Sequence, residues 1–334
     1  MKPRVSQPPE VLENLQKVAV RMGASIELKS GRATIGQFKL KDGRVCYFLP
    51  SSLDINPVGA ASLARDKDSA SYFMSRMGYR VVESKAFALL STNTRERNRT
   101  IDKAYGYATR LGFPVITKPN SSSRGRGVTL AHTKREFYDT IGDIFAYDNV
   151  ALVQRKAIGR DYRIVVLAGT VITACERRPL SVTGDGQLTI EGLLQQKQQA
   201  FEKIGRPSRI NPRSPNIKKV LRRRKMTFGS ILPNGENITL TDTANLMSGG
   251  EAIDVTMSLH PNIAQTAINL TRDMGLYLSS VDMIVDGDIS EESPFAILEI
   301  NSAPGLDHFL NTNDTKAKDI EELYFDVMTS FFGQ

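Results

Sequence analysis

Cysteine is scarce: Cys46 and Cys175 are the only thiols in 334 residues. A disulfide framework is therefore not expected, and a reducing cytoplasm is the default compartment. No apolar run approaches the ~20 residues that cross a bilayer. Met1 to Glu10 is polar and proline-bearing, without the apolar stretch a signal peptide needs. The three histidines, His132, His260 and His308, are scattered and read as packing residues; no Ser-His-Asp or Cys-His set is required. The absence of G-x-x-x-x-G-K-[ST] excludes a Walker P-loop. Val115-Ile116-Thr117-Lys118 is like the lysine strand of protein kinases. Here, however, the Gly-rich stretch follows the lysine, and neither H-R-D nor D-F-G occurs. No repeat of fixed period is present.

What is present is an ordinary globular composition, with 40% hydrophobic and 24% charged positions, in a chain long enough for two or three lobes. The net charge of +8 fits nucleic acid, an anionic membrane surface or small anionic substrates, and does not choose among them. The 3.6-residue periodicity predicts helices over Glu10–Met22, Leu63–Met77, Arg95–Leu111, Lys134–Ile141, Leu193–Lys203 and Asn262–Met274. Short apolar runs predict strands at Ser25–Leu28, Ala33–Leu40, Val45–Leu49, Phe113–Lys118, Val128–Ala131, Val150–Gln154, Tyr162–Ala168, Ser280–Val285 and Ala296–Ile300. Lys41-Asp42-Gly43 reads as a hairpin turn, and Gly205–Lys225 as an insertion or mobile loop. The order is α+β with antiparallel hairpins, not regular βαβ alternation.

Three stretches carry chemistry. The loop from Ser121 to Gly127, with Ser122, Ser123 and Gly125, follows Lys118; small residues let backbone N–H groups approach phosphate, and the lysine adds charge. Alone, such a loop is usually only a turn. Asp282 and Glu299 sit inside apolar strands, where an unpaired carboxylate is costly. Glu299 and Asn301 share a strand face, which Asp282 joins if the strands pair. That set suits Mg²⁺, the alternative being pairing with a buried arginine. Around Gly159, two strands read as a hairpin that could place Gln154 and Asp161 beside a nucleoside.

In this order these segments resemble the ATP-grasp superfamily, most of all the module of cyanophycin synthetase and of bifunctional glutathione-synthesising enzymes. The resemblance runs from about Ala64 to Leu310. It includes Arg177-Arg178-Pro179, Val182-Thr183-Gly184-Asp185-Gly186, the stretch Asn245–Asp254 and Glu299-Ile300-Asn301-Ser302-Ala303-Pro304-Gly305. It implies an ATP-grasp fold with nucleotide between two antiparallel sheets. The implied parts are a small N-terminal lobe (1–62), a lid lobe (63–153) and a C-terminal lobe bearing the metal site (154–334).

It further implies ATP with Mg²⁺ or Mn²⁺ as cofactors. Lys67 and Lys118 then face the phosphates under the 121–127 loop, Gln154 and Ala157 lie at the adenine, and Asp161 at the ribose. Arg163 and Arg178, with Lys118, are the implied catalytic charges; Asp282, Glu299 and Asn301 are the metal ligands. Gln154 replaces the usual acid of the adenine hinge. Ser280 stands where D-alanine ligases carry an arginine, which argues against that activity. The chain stops soon after the module, without the Mur-ligase-like half of cyanophycin synthetase.

The implied reaction joins a carboxylate, activated as an acyl phosphate, to an amine. Addition of residues to a protein or peptide terminus is the alternative; a non-catalytic nucleotide-binding protein with an anionic partner is another. Expected partners are amino acids or peptides, with no membrane and with a homo-oligomer left open. For the basic run from Lys218 to Lys225 a solvated helix face comes first, a site for an acidic amino acid or peptide second. Nucleic acid comes last, because no aromatic platform accompanies the run.

Overall fold

The computed structural model describes residues 10–30, 32–49, 52–89, 93–122, 125–203, 206, 209–306 and 320–333. The expectations for residues 1–9, Ser123 and His308 lie outside them. Helix α1 (Glu10–Met22) buries Leu12, Leu15, Val18 and Ala19, the periodic face read from the sequence. Strands β1 (Ser25–Lys29), β2 (Arg32–Lys39), β3 (Val45–Leu49) and β4 (Ser52–Leu53) follow as an antiparallel sheet in that order. Gly43 takes the positive φ that its turn requires.

The single helix expected over 63–77 is two, α2 (Val58–Arg65) and α3 (Lys67–Arg76). Asp66 leaves helical geometry between them, and its carboxylate accepts from the Ser69 N–H at 2.8 Å as the N-cap of α3. Then come β5 (Ser84–Ala88), α4 (Thr94–Leu111), β6 (Val115–Pro119), β7 (Thr129–Ala131), α5 (Lys134–Ile144) and β8 (Val150–Arg155). Their strands form a sheet of order β5-β8-β6-β7. Phe137, Ile141 and Ile144 of α5 pack with Ala104 and Ala108 of α4 onto Val115, Ala151 and Val153, giving this lobe its own core.

Next are β9 (Arg160–Leu167), β10 (Thr170–Arg178), β11 (Ser181–Thr183), α6 (Ile190–Lys203), α7 (Pro215–Arg223), β12 (Asn237–Thr239) and β13 (Glu251–Asp254). The chain continues through α8 (Pro261–Asp273), β14 (Leu278–Val285), β15 (Phe295–Asn301) and α9 (Ile320–Phe332). A second antiparallel sheet has the order β13-β10-β9-β14-β15. Ile164, Val166, Val281 and Met283 on one face meet Ala64, Ala70 and Met74 of α2–α3 and Ile263, Ala267 and Leu270 of α8. Helices α2 and α3, assigned to the lid lobe in the sequence reading, thus pack on the five-stranded sheet.

On the other face Val165, Leu167, Cys175 and Leu278 join α1, Phe38, Phe48 and the α9 residues Leu323 and Val327. That covers one end of the face and leaves the other end to charged side chains. Between β10 and β13 an insertion holds β11, β12, α6 and α7 around Leu180, Ile190, Leu194, Ile217 and Leu221. The loop expected over 205–225 therefore contains helix α7, capped by Ser214. Among the described residues no helix is long and apolar enough to cross a membrane.

Candidate active site

Register builds the charged end of the five-stranded sheet. Arg163 of β9 stands opposite Asp282 of β14, which stands opposite Glu299 of β15. One step along, Asp161 faces Arg177 of β10, and on the other side Ser280 faces Asn301. Because side chains alternate with period two, all of these lie on one face. Arg163 donates from Nε and Nη2 to the two oxygens of Asp282, each at 2.8 Å. Arg177 bridges the two acids, with Nη1 2.9 Å from Asp282 and Nη2 2.6 Å from Asp161.

Asp282 is 1% exposed. Burial alone would raise its pKa, but the two guanidiniums outweigh burial and hold the carboxyl at about 2. For Asp161 burial, reinforced by the charge of Asp282, prevails over Arg177 and pushes the carboxyl up to about 6. The buried-arginine alternative thus describes Asp282 in this structure, where both oxygens are already taken. The expectation of Asp282 as a free metal ligand is corrected to that extent.

Glu299 differs. It accepts from Asn301 Nδ2 at 3.3 Å, and among the described residues no lysine or arginine pairs with it. Among those residues no three His, Cys, Asp or Glu side chains converge as a metal cluster. A hard cation would find one carboxylate and one amide oxygen here, which suits Mg²⁺, whose shell is completed by water and phosphate oxygens. Ser280 is fully buried, and among the described residues its hydroxyl has no hydrogen-bond partner.

The four-stranded sheet supplies the opposing charges. Lys118 on β6 is buried, and its Nζ donates to Gln154 Oε1 on β8 at 3.1 Å. Burial lowers its pKa and the charge of Lys67 adds to that, while Glu299 and Asp282 of the other sheet oppose it. Lys67, in the first turn of α3, donates to the carbonyl of Ser122 at 2.8 Å. Asn120 ties the same turn to β6: its amide donates to Asp66 at 2.7 Å, and its carbonyl accepts from the Asp68 N–H at 3.1 Å. In the loop, Ser121 Oγ donates to Asp148 at 2.7 Å and Ser122 Oγ to the Arg126 carbonyl at 2.8 Å. Gly125 and Gly127 have φ of 68° and 74°, which free the backbone to turn tightly.

Two sequence expectations need correction. Gln154 and Asp161 are not on one hairpin, because β8 and β9 belong to different sheets and 156–159, with Ala157, link them. A Cβ at Gly159 would run into the Val285 carbonyl, so this glycine serves a close crossing between strands. The tight hairpin is β9–β10: Ala168 and Gly169 both have positive φ, at 49° and 77°, between the paired Leu167 and Thr170.

The second correction concerns Arg178. It pairs with Glu176 at 2.9 Å on the face opposite the site, and Arg177 occupies the place expected of it. The Arg-Arg-Pro run signalled an arginine, but choosing between neighbours needed the strand's parity. Arg177, Asp66 and Asn120 are the site residues that sequence reasoning missed.

Comparison with known proteins adds a family model, "Carbamoyl-phosphate synthase L chain, ATP binding domain", that matches residues 66–158. Cyanophycin synthetase of Synechocystis sp. is 33% identical over 215 residues, 58% of this chain and 23% of that protein. The glutathione biosynthesis bifunctional protein GshAB of Clostridium perfringens is 28% identical over 206 residues, 58% of this chain and 26% of that protein. The match thus spans about a quarter of these curated relatives' length. Among solved structures, a bifunctional glutathione synthetase from Pasteurella multocida superposes with a TM-score of 0.62 at 20% identity, covering 96% of this chain and 44% of the other. D-alanine–D-alanine ligase from Bacillus anthracis gives 0.50 at 12% identity, covering 83% and 69%. At these identities the likeness establishes the fold.

Proposed function

We propose that this chain, an ATP-grasp protein by its fold, is an ATP-dependent ligase that activates a carboxylate of an amino acid or short peptide and joins it to an amine. In the first step a carboxylate oxygen bonds to the γ-phosphorus and ADP leaves. In the second an amine nitrogen bonds to the acyl carbon, and phosphate and a proton leave. The observation that carries the reading is the join between the two sheets: Lys67, at the start of the helix packed on the five-stranded sheet whose face carries Arg163, Asp282 and Glu299 in register, donates at 2.8 Å to the Ser122 carbonyl in the loop that follows Lys118.

Lys67 and Lys118 neutralise phosphate oxygens in place, which costs no reorganisation during transfer. Ser121, Ser122, Gly125 and Gly127 belong to the flap that excludes water from the activated acid. Gln154 and Ala157 contact the base, and Asp161 accepts from the ribose. Arg163 and Arg177, in place of Arg178, supply charge toward the transferring group and orient Asp282. Glu299 and Asn301 would hold Mg²⁺ beside the arginine-paired Asp282, and the ion would supply neutralisation of phosphate charge there. The lobe that closes is the four-stranded sheet with α4 and α5.

The test is Mg²⁺-dependent release of ADP and phosphate, screened over amino acids and short peptides as acid and as amine, with products identified by mass spectrometry. Release is expected only when both substrates are present, and Glu299→Ala should lower it by at least 100-fold. If ATP binds, no pair of substrates yields ADP and Glu299→Ala leaves ATP binding unchanged, the ligase reading falls.

A further inference from the structure

The insertion between β10 and β13 carries a charge pattern that the reaction does not use. From Arg206 to Lys225 the chain holds nine lysines and arginines and no aspartate or glutamate. Several of these cations have protein partners. Arg206 is buried and donates to the carbonyls of Leu246 and Gly250, which ties the insertion to the approach to β13. Arg213 pairs with Glu191 at 3.0 Å, and Arg223 pairs with Asp242.

Arg209 and Lys219 differ: among the described residues neither has an acidic partner. Both line a cavity of about 110 Å³ with Gly125, Thr129 and Asn245. Asp242 also lines it, its carboxylate engaged by Arg223. The cavity lies against the flap, since a side chain at Gly125 would strike Asn245. Three residues back in the same flap, the Ser122 carbonyl accepts from Lys67. A group seated here would therefore touch the loop that covers the phosphates.

From this arrangement we propose that the cavity is a specificity pocket for a carboxylate of the substrate, so that the ligase takes an acidic amino acid or an acidic peptide. This rests on the ligase reading only in calling the bound molecule a substrate. Two cations with no acidic partner among the described residues, beside amide and hydroxyl groups, favour an anion, and the guanidinium fork of Arg209 matches a carboxylate with two parallel bonds. The cavity has room for such a group. The segment 206–225 contains no aromatic residue on which bases could stack.

Binding without turnover separates this proposal from the reaction. Calorimetric titration with triglutamate and with triglutamine is expected to show the acid binding at least tenfold more tightly. That preference should vanish in Arg209→Gln/Lys219→Gln and persist in Lys85→Gln/Lys103→Gln, which alters a distant face. Equal affinities, no binding of either peptide, or a preference that survives the first double variant would overturn the pocket. Tighter binding of a ten-nucleotide oligothymidylate, lost in that variant, would overturn it in favour of a nucleic-acid surface. If the acid preference holds while no substrate pair releases ADP, the pocket stands and the ligase reading fails.

Discussion

At the scale of single residues, the site is an ion network whose members are hard to remove one at a time. Asp282 is nearly inaccessible and compensates two guanidiniums, so Asp282→Asn leaves Arg163 and Arg177 sharing a neutral partner. Breaking a buried pair from one side costs about 3–5 kcal/mol. Urea denaturation should show a loss of that order at pH 7. The folded carboxyl titrates at about 2, below the ordinary aspartate value of 3.8, so its contribution is fully present above about pH 4. It disappears as pH falls through the folded value. The stability gap between wild type and Asp282→Asn should accordingly narrow as pH is lowered from 5 to 3. A gap independent of pH would mean that the charge of Asp282 is not what stabilises the fold.

At the scale of elements, the break between α2 and α3 positions a lysine. Asp66 caps α3, receives the amide of Asn120 and so fixes the first turn, from which Lys67 reaches the flap. Losing an N-cap costs about 1 kcal/mol. Asp66→Ala is expected to lose that much stability and to raise the KM for ATP about tenfold, while Asp66→Asn, which can still cap, should recover most of both. Unchanged KM in Asp66→Ala would detach the cap from the nucleotide site. The periodicity of 63–77 concealed this break, because apolar spacing continues across it and only the Asp-Lys-Asp-Ser run hints at a cap. Most other helices and strands were legible for the same local reasons: apolar periods and glycine stops. Strand β10 was not, since it alternates polar and apolar residues irregularly, and its Ala-Gly turn was passed over in favour of Gly159. The facing of Asp282 and Glu299 was legible from two apolar strands. The arginines that reach Asp282 were not, because Arg163 is 119 residues away and parity across three strands decides which arginine arrives.

At the scale of the whole molecule, two separately packed bodies meet at the site. The lobe over β5–β8 has a core around Phe137 and Val153, distinct from the cores on either face of the five-stranded sheet. The link at 156–159 and the stretch before β5 join them, so contacts between the bodies at the site are few and polar: Lys67 to Ser122, Asn120 to Asp66 and Asp68. A nucleotide held between the sheets adds contacts to both, and linkage requires it to stabilise their joined form. At 100 times its Kd, MgATP contributes about 2.7 kcal/mol. Unfolding entropy is about 2.1 cal/mol/K per residue, so a chain of 334 residues unfolding cooperatively should gain about 4 °C in Tm. Hydrogen exchange should slow most in β6, β7 and the link, and least in α9, which packs against α1 at the far end. Lys118→Met should abolish both effects, each measured against the free variant, whose own Tm falls because the buried Gln154 Oε1 loses its donor. Protection confined to the five-stranded sheet, with β6 and β7 unaffected, would mean that nucleotide binds one body alone and that the two sheets do not close on it.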